Sequence, residues 1–204
     1  MIVYVESNFV LELVLSQEQS LACEALVALA DEGAIELAIP SYAFLEPEEK
    51  LVRRGRERKR LSDSLANELN QLTRSSHLSG VVTGLNDVPD VLLFASHEEQ
   101  RRADEERLRL LGASTVLSVD GFVVREAFEL SQRLRLSLPD ATMLASVLAD
   151  LRRHPGTAAC FLNRNAKDFS DPDIVSMLAD LGCSAIFSFV DGLNYVRHES
   201  SQLR

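Results

Sequence analysis

The stretch Ala158-Ala159-Cys160-Phe161-Leu162-Asn163-Arg164-Asn165-Ala166-Lys167-Asp168-Phe169 begins as an apolar run and continues as a polar loop. A short apolar run with such a boundary predicts a buried β-strand. The chain opens in the same way, because the apolar run from Ile2 to Val5 is followed by Glu6-Ser7-Asn8. We expect both runs to lie in one parallel sheet, whose carboxyl edge is where open α/β folds bind their ligands.

The remaining apolar runs predict three further strands. They are Ile35–Ile39, Thr115–Val119 and Ala185–Phe189, and helical patterns separate them from one another. Strands that alternate with helices imply a parallel sheet that is covered on both faces. The sequence therefore predicts an α/β fold with a parallel sheet of roughly four or five strands.

The segment from about residue 53 to residue 112 contains no strand pattern and is rich in Arg, Glu and Leu. We interpret it as a helical insertion in a single domain that spans residues 1–204. A helix is predicted to about Leu78, then a loop over Ser79–Pro89 and one or two helices over Val91–Leu111. The first helix carries an apolar stripe that consists of Leu61, Leu65, Leu69 and Leu72. This stripe must be buried, either against the Val91–Leu111 helix or against a second copy of the chain.

The composition limits the classes of function. The formal net charge is -10, and a hydrophobic content of 46% indicates a globular protein with a sizeable core. A protein this acidic does not bind nucleic acid over its whole surface. An RNA substrate would therefore be held by a local basic patch or through a metal ion.

The cysteine pattern and the apolar runs indicate the cellular compartment. Cys23, Cys160 and Cys183 are widely spaced and form no CxxC pair, which is typical of reduced core residues in a cytoplasmic protein. The N-terminus lacks a secretory signal pattern, and no apolar run approaches the roughly 20 residues of a membrane span. We expect a cytoplasmic protein without a membrane partner.

Four acidic residues stand where the expected fold would gather them: Glu6, Glu46, Asp140 and Asp168. Carboxylates held close together repel one another unless a cation lies between them. Mg²⁺ and Mn²⁺ are hard cations that prefer oxygen ligands, and they usually serve phosphate chemistry. The acids therefore predict a metal site that acts on a phosphate group.

Each acid also has an ordinary structural interpretation. Ser137-x-x-Asp140 is a capping box, and an acid in the first turn of a helix is favoured by the helix dipole. The other three have comparable alternatives: Glu6 as a solvated strand end, Asp168 as a loop acid, and Glu46 as part of a charged face with Glu48 and Glu49, which could also replace it in the site. The joint order of the acids favours the site.

The order of elements and acids resembles the PIN-domain family of metal-dependent ribonucleases, which includes the toxins of many bacterial toxin–antitoxin pairs. The resemblance covers about Met1 to Arg53 and Leu117 to Val196. Its most specific part is Leu117-Ser118-Val119, then a helix, then Leu136-Ser137-Leu138-Pro139-Asp140-Ala141, which in the family delivers the third acid. The motif from Asn163 to Phe169 is similar to the family's Thr-Arg-Asn-x-x-acid-Phe, with Asn163 in place of Thr.

The resemblance implies a three-layer PIN-like domain and a metal-dependent endoribonuclease. Glu6, Glu46 and Asp140 would hold one or two Mg²⁺ or Mn²⁺ ions, and Asp168 would complete the catalytic site. The metal would lower the pKa of bound water and neutralise charge on the phosphoryl transition state. Polar contacts to these carboxylates or their metal would come from Asn8, Asn163 and Asn165. Single-stranded RNA is the implied substrate, and a homodimer and an antitoxin-like protein are the implied assemblies.

Basic residues predict where RNA would be held. Within the run Arg53-Arg54-Gly55-Arg56-Glu57-Arg58-Lys59-Arg60 we select Arg56, Arg58 and Arg60, although such a run is also typical of a solvated helix surface. Arg164 and Lys167 flank the last acid and are the other predicted phosphate contacts.

Three departures from the family pattern support a second interpretation. The chain has Glu6 where the family usually has Asp, and Asn165 where many members have an acid. Pro47 follows Glu46 and predicts a kink in that helix. The alternative is a catalytically weak or inactive PIN-like domain that binds RNA or protein. The same metal site could also serve a nuclease or phosphatase that acts on DNA or structured RNA.

Overall fold

The computed structural model describes residues 1–202, and five of its segments form one parallel sheet. The strands are β1 (Ile2–Val5), β2 (Glu36–Pro40), β3 (Thr115–Leu117), β4 (Ala159–Leu162) and β5 (Cys183–Ile186). They lie in the order β3-β2-β1-β4-β5. The predicted α/β fold with a parallel sheet is confirmed, and β1 pairs with β4 as expected.

Helices connect the strands. They are α1 (Ser7–Leu15), α2 (Ser20–Asp31), α3 (Glu46–Thr73), α4 (Ser79–Val82), α5 (Val88–Ala113), α6 (Gly121–Leu134), α7 (Leu138–Leu151), α8 (Ala166–Phe169), α9 (Pro172–Ala179) and α10 (Phe189–Gln202). A 3₁₀ turn, Ser41–Phe44, joins β2 to α3. Within residues 1–202, no helix combines the length and the apolar character that a membrane crossing needs.

The two faces of the sheet are covered by different helices. Side chains alternate along a strand, so Ile2 and Tyr4 share one face, where they join a core with α6, α7 and α9. Val3 and Val5 point to the other face, where α2 packs on β2 and α10 packs on β4 and β5. At Gly192 of α10 an added Cβ would lie 2.6 Å from the Leu162 side chain, so this helix and strand approach closely. The sheet is thus the middle of three layers.

Two predicted boundaries are wrong. The expected last strand, Ala185–Phe189, lies instead at Cys183–Ile186, and Phe189 begins α10. The Phe189 ring contacts the Phe9 ring of α1 edge to face, with centroids 5.4 Å apart, so this aromatic residue packs from a helix rather than from the sheet. The expected loop Ser79–Pro89 contains α4 and a 3₁₀ turn.

The chain divides into two compact units. One contains residues 1–47 and the chain from residue 106 onward, and the other contains residues 48–105. The second unit holds most of α3 and α5 and corresponds to the predicted helical insertion, with both bounds shifted towards the N-terminus. Of the four predicted stripe residues, only Leu69 is buried; Leu65 and Leu72 are half-buried, and Leu61 is 56% exposed. Ser62 is buried in its stead and donates a hydrogen bond to the Pro89 carbonyl at 3.0 Å.

The three cysteines are free and buried, as the sequence predicts. Burial raises the pKa of the Cys183 thiol to about 12 and raises the pKa values of Cys23 and Cys160 above their ordinary range. A thiol attacks only as the thiolate. None of the three is therefore suited to act as a nucleophile.

Candidate active site

The strand order places a topological switch point between β1 and β4. The chain proceeds from β1 to β2 and β3 on one side, and β4 and β5 lie on the other side. In doubly wound sheets, ligands bind at such a switch point, beyond the carboxyl ends of the strands. Val5 pairs with Leu162, so Glu6 and Asn163 leave the sheet next to each other.

Glu6 directly precedes helix α1, whose first residue is Ser7. Its Oε2 accepts a hydrogen bond from the Asn8 backbone N–H at 3.0 Å, and the carboxylate is buried. Glu6 is therefore the N-cap of this helix. An anion is favoured at a helix N-terminus because the free N–H groups carry partial positive charge. This location fixes the Glu6 carboxylate at the carboxyl end of β1.

Glu46 is joined to α1 by a hydrogen bond from the buried Ser7 hydroxyl to Glu46 Oε2. Glu46 is the first residue of α3 and Pro47 the second. Proline is tolerated in the first helical turn, since those N–H groups have no intrahelical partner. Pro47 therefore sits where it needs no kink, and the predicted kink is wrong.

Asp140 lies in the first turn of α7, next to the helix cap Ser137. The Asp140 backbone N–H donates to Ser137 Oγ at 3.2 Å, and the Ser137 hydroxyl donates to Asp140 Oδ2. The capping interpretation is therefore confirmed. Helix α7 also packs on the 3₁₀ turn Ser41–Phe44, which in turn packs on α1. The segments that carry Glu6, Glu46 and Asp140 are neighbours.

The loop after β4, residues 163–168, is held by its own asparagines. Asn163 Oδ1 accepts from the Asn165 backbone N–H at 2.6 Å, and Asn165 Nδ2 donates to Asp168 Oδ2 at 2.7 Å. Asn165 thus supplies a donor that orients Asp168.

The Asn163 amide leaves one donor without an acceptor. Its side chain is 0% exposed, and Nδ2 has no hydrogen-bond partner within residues 1–202. A buried donor without an acceptor costs about 1–3 kcal/mol. A buried N–H group without an acceptor therefore lies next to the carboxyl end of β1.

The predicted carboxylates do not form a closed cluster. Within residues 1–202, no three His, Cys, Asp or Glu side chains come close enough to hold a metal ion as they stand. Like charges repel, and these acids accept hydrogen bonds from neighbouring donors, Glu6 from Asn8, Glu46 from Ser7 and Asp140 from Ser137. Each of these three carboxylates is oriented by a neighbouring hydrogen-bond donor.

The chemistry of the donor set fits a hard divalent cation. Carboxylate, carboxamide and hydroxyl oxygens are the ligands of Mg²⁺ and Mn²⁺, and His and Cys are absent from the predicted set. Glu6, Glu46, Asp140 and Asp168 would be the ligands. The hydroxyls of Ser7 and Ser137 donate hydrogen bonds to two of them, Glu46 and Asp140.

Arg164 contacts acids of this chain. Its Nη1 forms an ion pair with Glu12 Oε1 and lies 3.4 Å from Glu18 Oε2. The Glu12 side chain is 1% exposed. Sequence reasoning missed Glu12, although an acid on an otherwise apolar helix face is a signal that a cation partner lies nearby. Lys167 of the same loop is exposed.

The predicted basic surface lies in the unit formed by residues 48–105. Arg58 forms two hydrogen bonds with the Glu99 carboxylate, both at 2.8 Å, so its guanidinium joins α3 to α5. Arg56 and Arg60 are exposed. The RNA contact predicted for all three stays a prediction, with Arg58 also serving the fold of this unit.

Comparisons with known proteins add no identification. The chain matches no known family model, no curated protein and no solved structure. The α/β fold with its doubly wound sheet and the geometry at its carboxyl edge therefore carry the functional argument.

Ser7→Ala should weaken Mn²⁺ binding by roughly 10-fold, because it removes the hydroxyl that holds Glu46. Isothermal titration calorimetry measures this directly. Ser146→Ala is a matched control, since Ser146 is also buried but donates to Thr142 of its own helix. Equal affinities for Mn²⁺ in the two variants would show that Ser7 does not orient a ligand.

Proposed function

We propose that the protein is a divalent-metal-dependent endoribonuclease that cleaves RNA phosphodiester bonds. The observation that supports the proposal is that acids follow β1 and β4 at the carboxyl edge of a doubly wound sheet. Glu6 follows β1, and Asp168 lies in the loop after β4. Glu46 accepts a hydrogen bond from Ser7, the residue after Glu6. Such an edge is where this class of sheet binds ligands.

The side chains divide the chemical work between them. Glu6, Glu46, Asp140 and Asp168 would hold the cation. When bound, a Mg²⁺ or Mn²⁺ ion acidifies water and neutralises negative charge on the phosphate. The buried N–H of the Asn163 amide, which lacks an acceptor, would donate to an oxygen of the bound group. No nucleophilic side chain is required.

The assay that tests the proposal is cleavage of an end-labelled single-stranded RNA. We expect internal cuts with Mn²⁺ or Mg²⁺ and none after chelation by EDTA. A structured RNA and a single-stranded DNA of the same sequence serve as competing substrates. Cleavage that persists in EDTA, or that requires DNA, would contradict the proposal.

RNA binding should depend on Arg56 and Arg60. The plot of log K against log salt concentration has a negative slope. Replacing both residues by Gln should reduce the magnitude of this slope by about 1.4, because each contact to a single-strand phosphate contributes about 0.7. Fluorescence anisotropy with labelled RNA at several salt concentrations measures this slope.

Arg74→Gln is the control for that experiment. Arg74 is an exposed arginine of the same unit outside the predicted set, so its replacement should leave the slope unchanged. An unchanged slope in the Arg56→Gln, Arg60→Gln variant would return these residues to the interpretation as a solvated helix surface.

A second candidate is a PIN-like module without catalysis. It is favoured by the separate hydrogen-bonding partners of Glu6, Glu46 and Asp140 and by the absence, within residues 1–202, of a closed group of three ligands. Calorimetry separates the two candidates. A folded protein that binds no Mn²⁺ at millimolar concentration would favour the module.

The assemblies implied by the resemblance belong to the same proposal. A homodimer and an antitoxin-like partner are expected for a toxin of this class, as is a cytoplasmic location. Sedimentation analysis of the purified chain tests the homodimer.

A further inference from the structure

We infer that the ion pair between Arg164 and Glu12 fixes the loop of residues 163–168 on helix α1, and that Arg164 is a positioning residue for Asp168 rather than a phosphate ligand. The inference rests on the proposed function for its catalytic meaning. The loop contact itself is independent of that function.

Glu12 is a rigid anchor. Its carboxylate is buried, with Oε1 paired to Arg164 and Oε2 accepting the Gln19 backbone N–H at 2.9 Å. The Gln19 side chain in turn accepts the backbone N–H of Phe189 at 2.7 Å, at the start of α10. A buried charge with both oxygens engaged has little freedom to rotate.

Glu12 lies on helix α1, whose N-cap is Glu6. Glu6 and Glu12 are joined by the first turns of α1, so a contact to Glu12 also sets the distance from the loop to Glu6. Arg164 stands between Asn163 and Asn165, the two residues that tie the loop internally and hold Asp168. The ion pair therefore connects the loop that carries Asp168 to helix α1, whose N-cap is Glu6.

A phosphate contact and a positioning role predict different results. A phosphate ligand would change RNA affinity and its salt dependence only. A positioning residue would change the order of the loop and the affinity for metal in the absence of RNA. Lys167 provides the comparison, because it is an exposed cation in the same loop.

The variant must not leave a buried charge unpaired. Arg164→Gln alone would strand the Glu12 carboxylate and could unfold the protein. The test therefore uses the double variant Glu12→Gln, Arg164→Gln, together with the conservative Arg164→Lys and the control Lys167→Gln. Two quantities are measured, the hydrogen exchange of the Asn165 and Phe169 amides and the affinity for Mn²⁺ by calorimetry.

In the double variant we expect loop exchange to accelerate by at least about 10-fold and Mn²⁺ affinity to fall by about 10-fold. Arg164→Lys should lie between this variant and the wild type, and Lys167→Gln should change neither quantity. Loop exchange equal to that of the wild type would overturn the inference. Accelerated exchange with unchanged Mn²⁺ affinity would refute the positioning of Asp168. If the wild-type protein binds no Mn²⁺, the proposed function fails, and the exchange rates still decide whether the ion pair fixes the loop.

Discussion

Asp140→Asn combined with Glu46→Gln should lower metal-dependent RNA cleavage by at least about 100-fold. The change removes two of the four predicted ligand charges. It preserves the fold, because each new amide oxygen can still accept the hydrogen bond from Ser7 or Ser137. Gel analysis of end-labelled single-stranded RNA, at equal protein concentration, measures the rate.

Asp173→Asn combined with Glu49→Gln is the matched control. Asp173 is also an acid in the first turn of a helix, and Glu49 is the exposed acid that could compete with Glu46 for the site. We expect this control to cleave at the wild-type rate. Cleavage retained by the Asp140, Glu46 variant, or lost in the control, would show that the ligands are assigned to the wrong residues.

Divalent metal should stabilise the folded protein. A ligand that binds only the native state at 100 times its Kd adds about 2.7 kcal/mol to the free energy of unfolding, which for a chain of this size raises Tm by about 5–10 °C. Thermal unfolding at neutral pH with and without Mn²⁺ measures the shift, and EDTA should reverse it.

The shift in Tm should become smaller at acidic pH. Protons compete with metal for the ligating carboxylates, so the stabilisation is present near neutral pH and is lost as the pH falls. The Asp140→Asn, Glu46→Gln variant should show little shift at either pH. A wild-type Tm that millimolar Mn²⁺ does not move at neutral pH would contradict a functional metal site.

The fold was predictable where a single strand carries its own signal. The run Ile2–Val5 is apolar on both faces, and such a run fits only a strand that is buried between helix layers. The end of the last strand was not predictable. Its position depends on the contact of Phe189 with Phe9, two residues far apart in sequence.

The sequence selects the acids of the candidate site, but it does not identify the residues that contact Glu46 and Arg164. Residue type and order single out Glu6 and Asp168, since an acid after a strand of this sheet reaches the ligand edge. The hydroxyl that holds Glu46 and the carboxylate that holds Arg164 come from Ser7 and Glu12, and only tertiary packing brings these pairs together.

The helical insertion illustrates the same limit. Leucines at three- and four-residue steps predict a buried stripe and identify Leu69 correctly. The choice between Leu61 and Ser62 depends on the helix opposite, where the Pro89 carbonyl accepts the Ser62 hydroxyl. Periodicity alone places both residues near the edge of the stripe.

Anomalous diffraction from crystals grown with Mn²⁺ tests the central claim most directly, because it locates the cation without reference to activity. We predict one or two manganese peaks beyond the carboxyl ends of β1 and β4, with oxygens of Glu6, Glu46 and Asp140 roughly 2.1 Å from the manganese. A folded protein that shows no peak there at millimolar Mn²⁺, or whose manganese lies away from these carboxylates, would contradict the assignment.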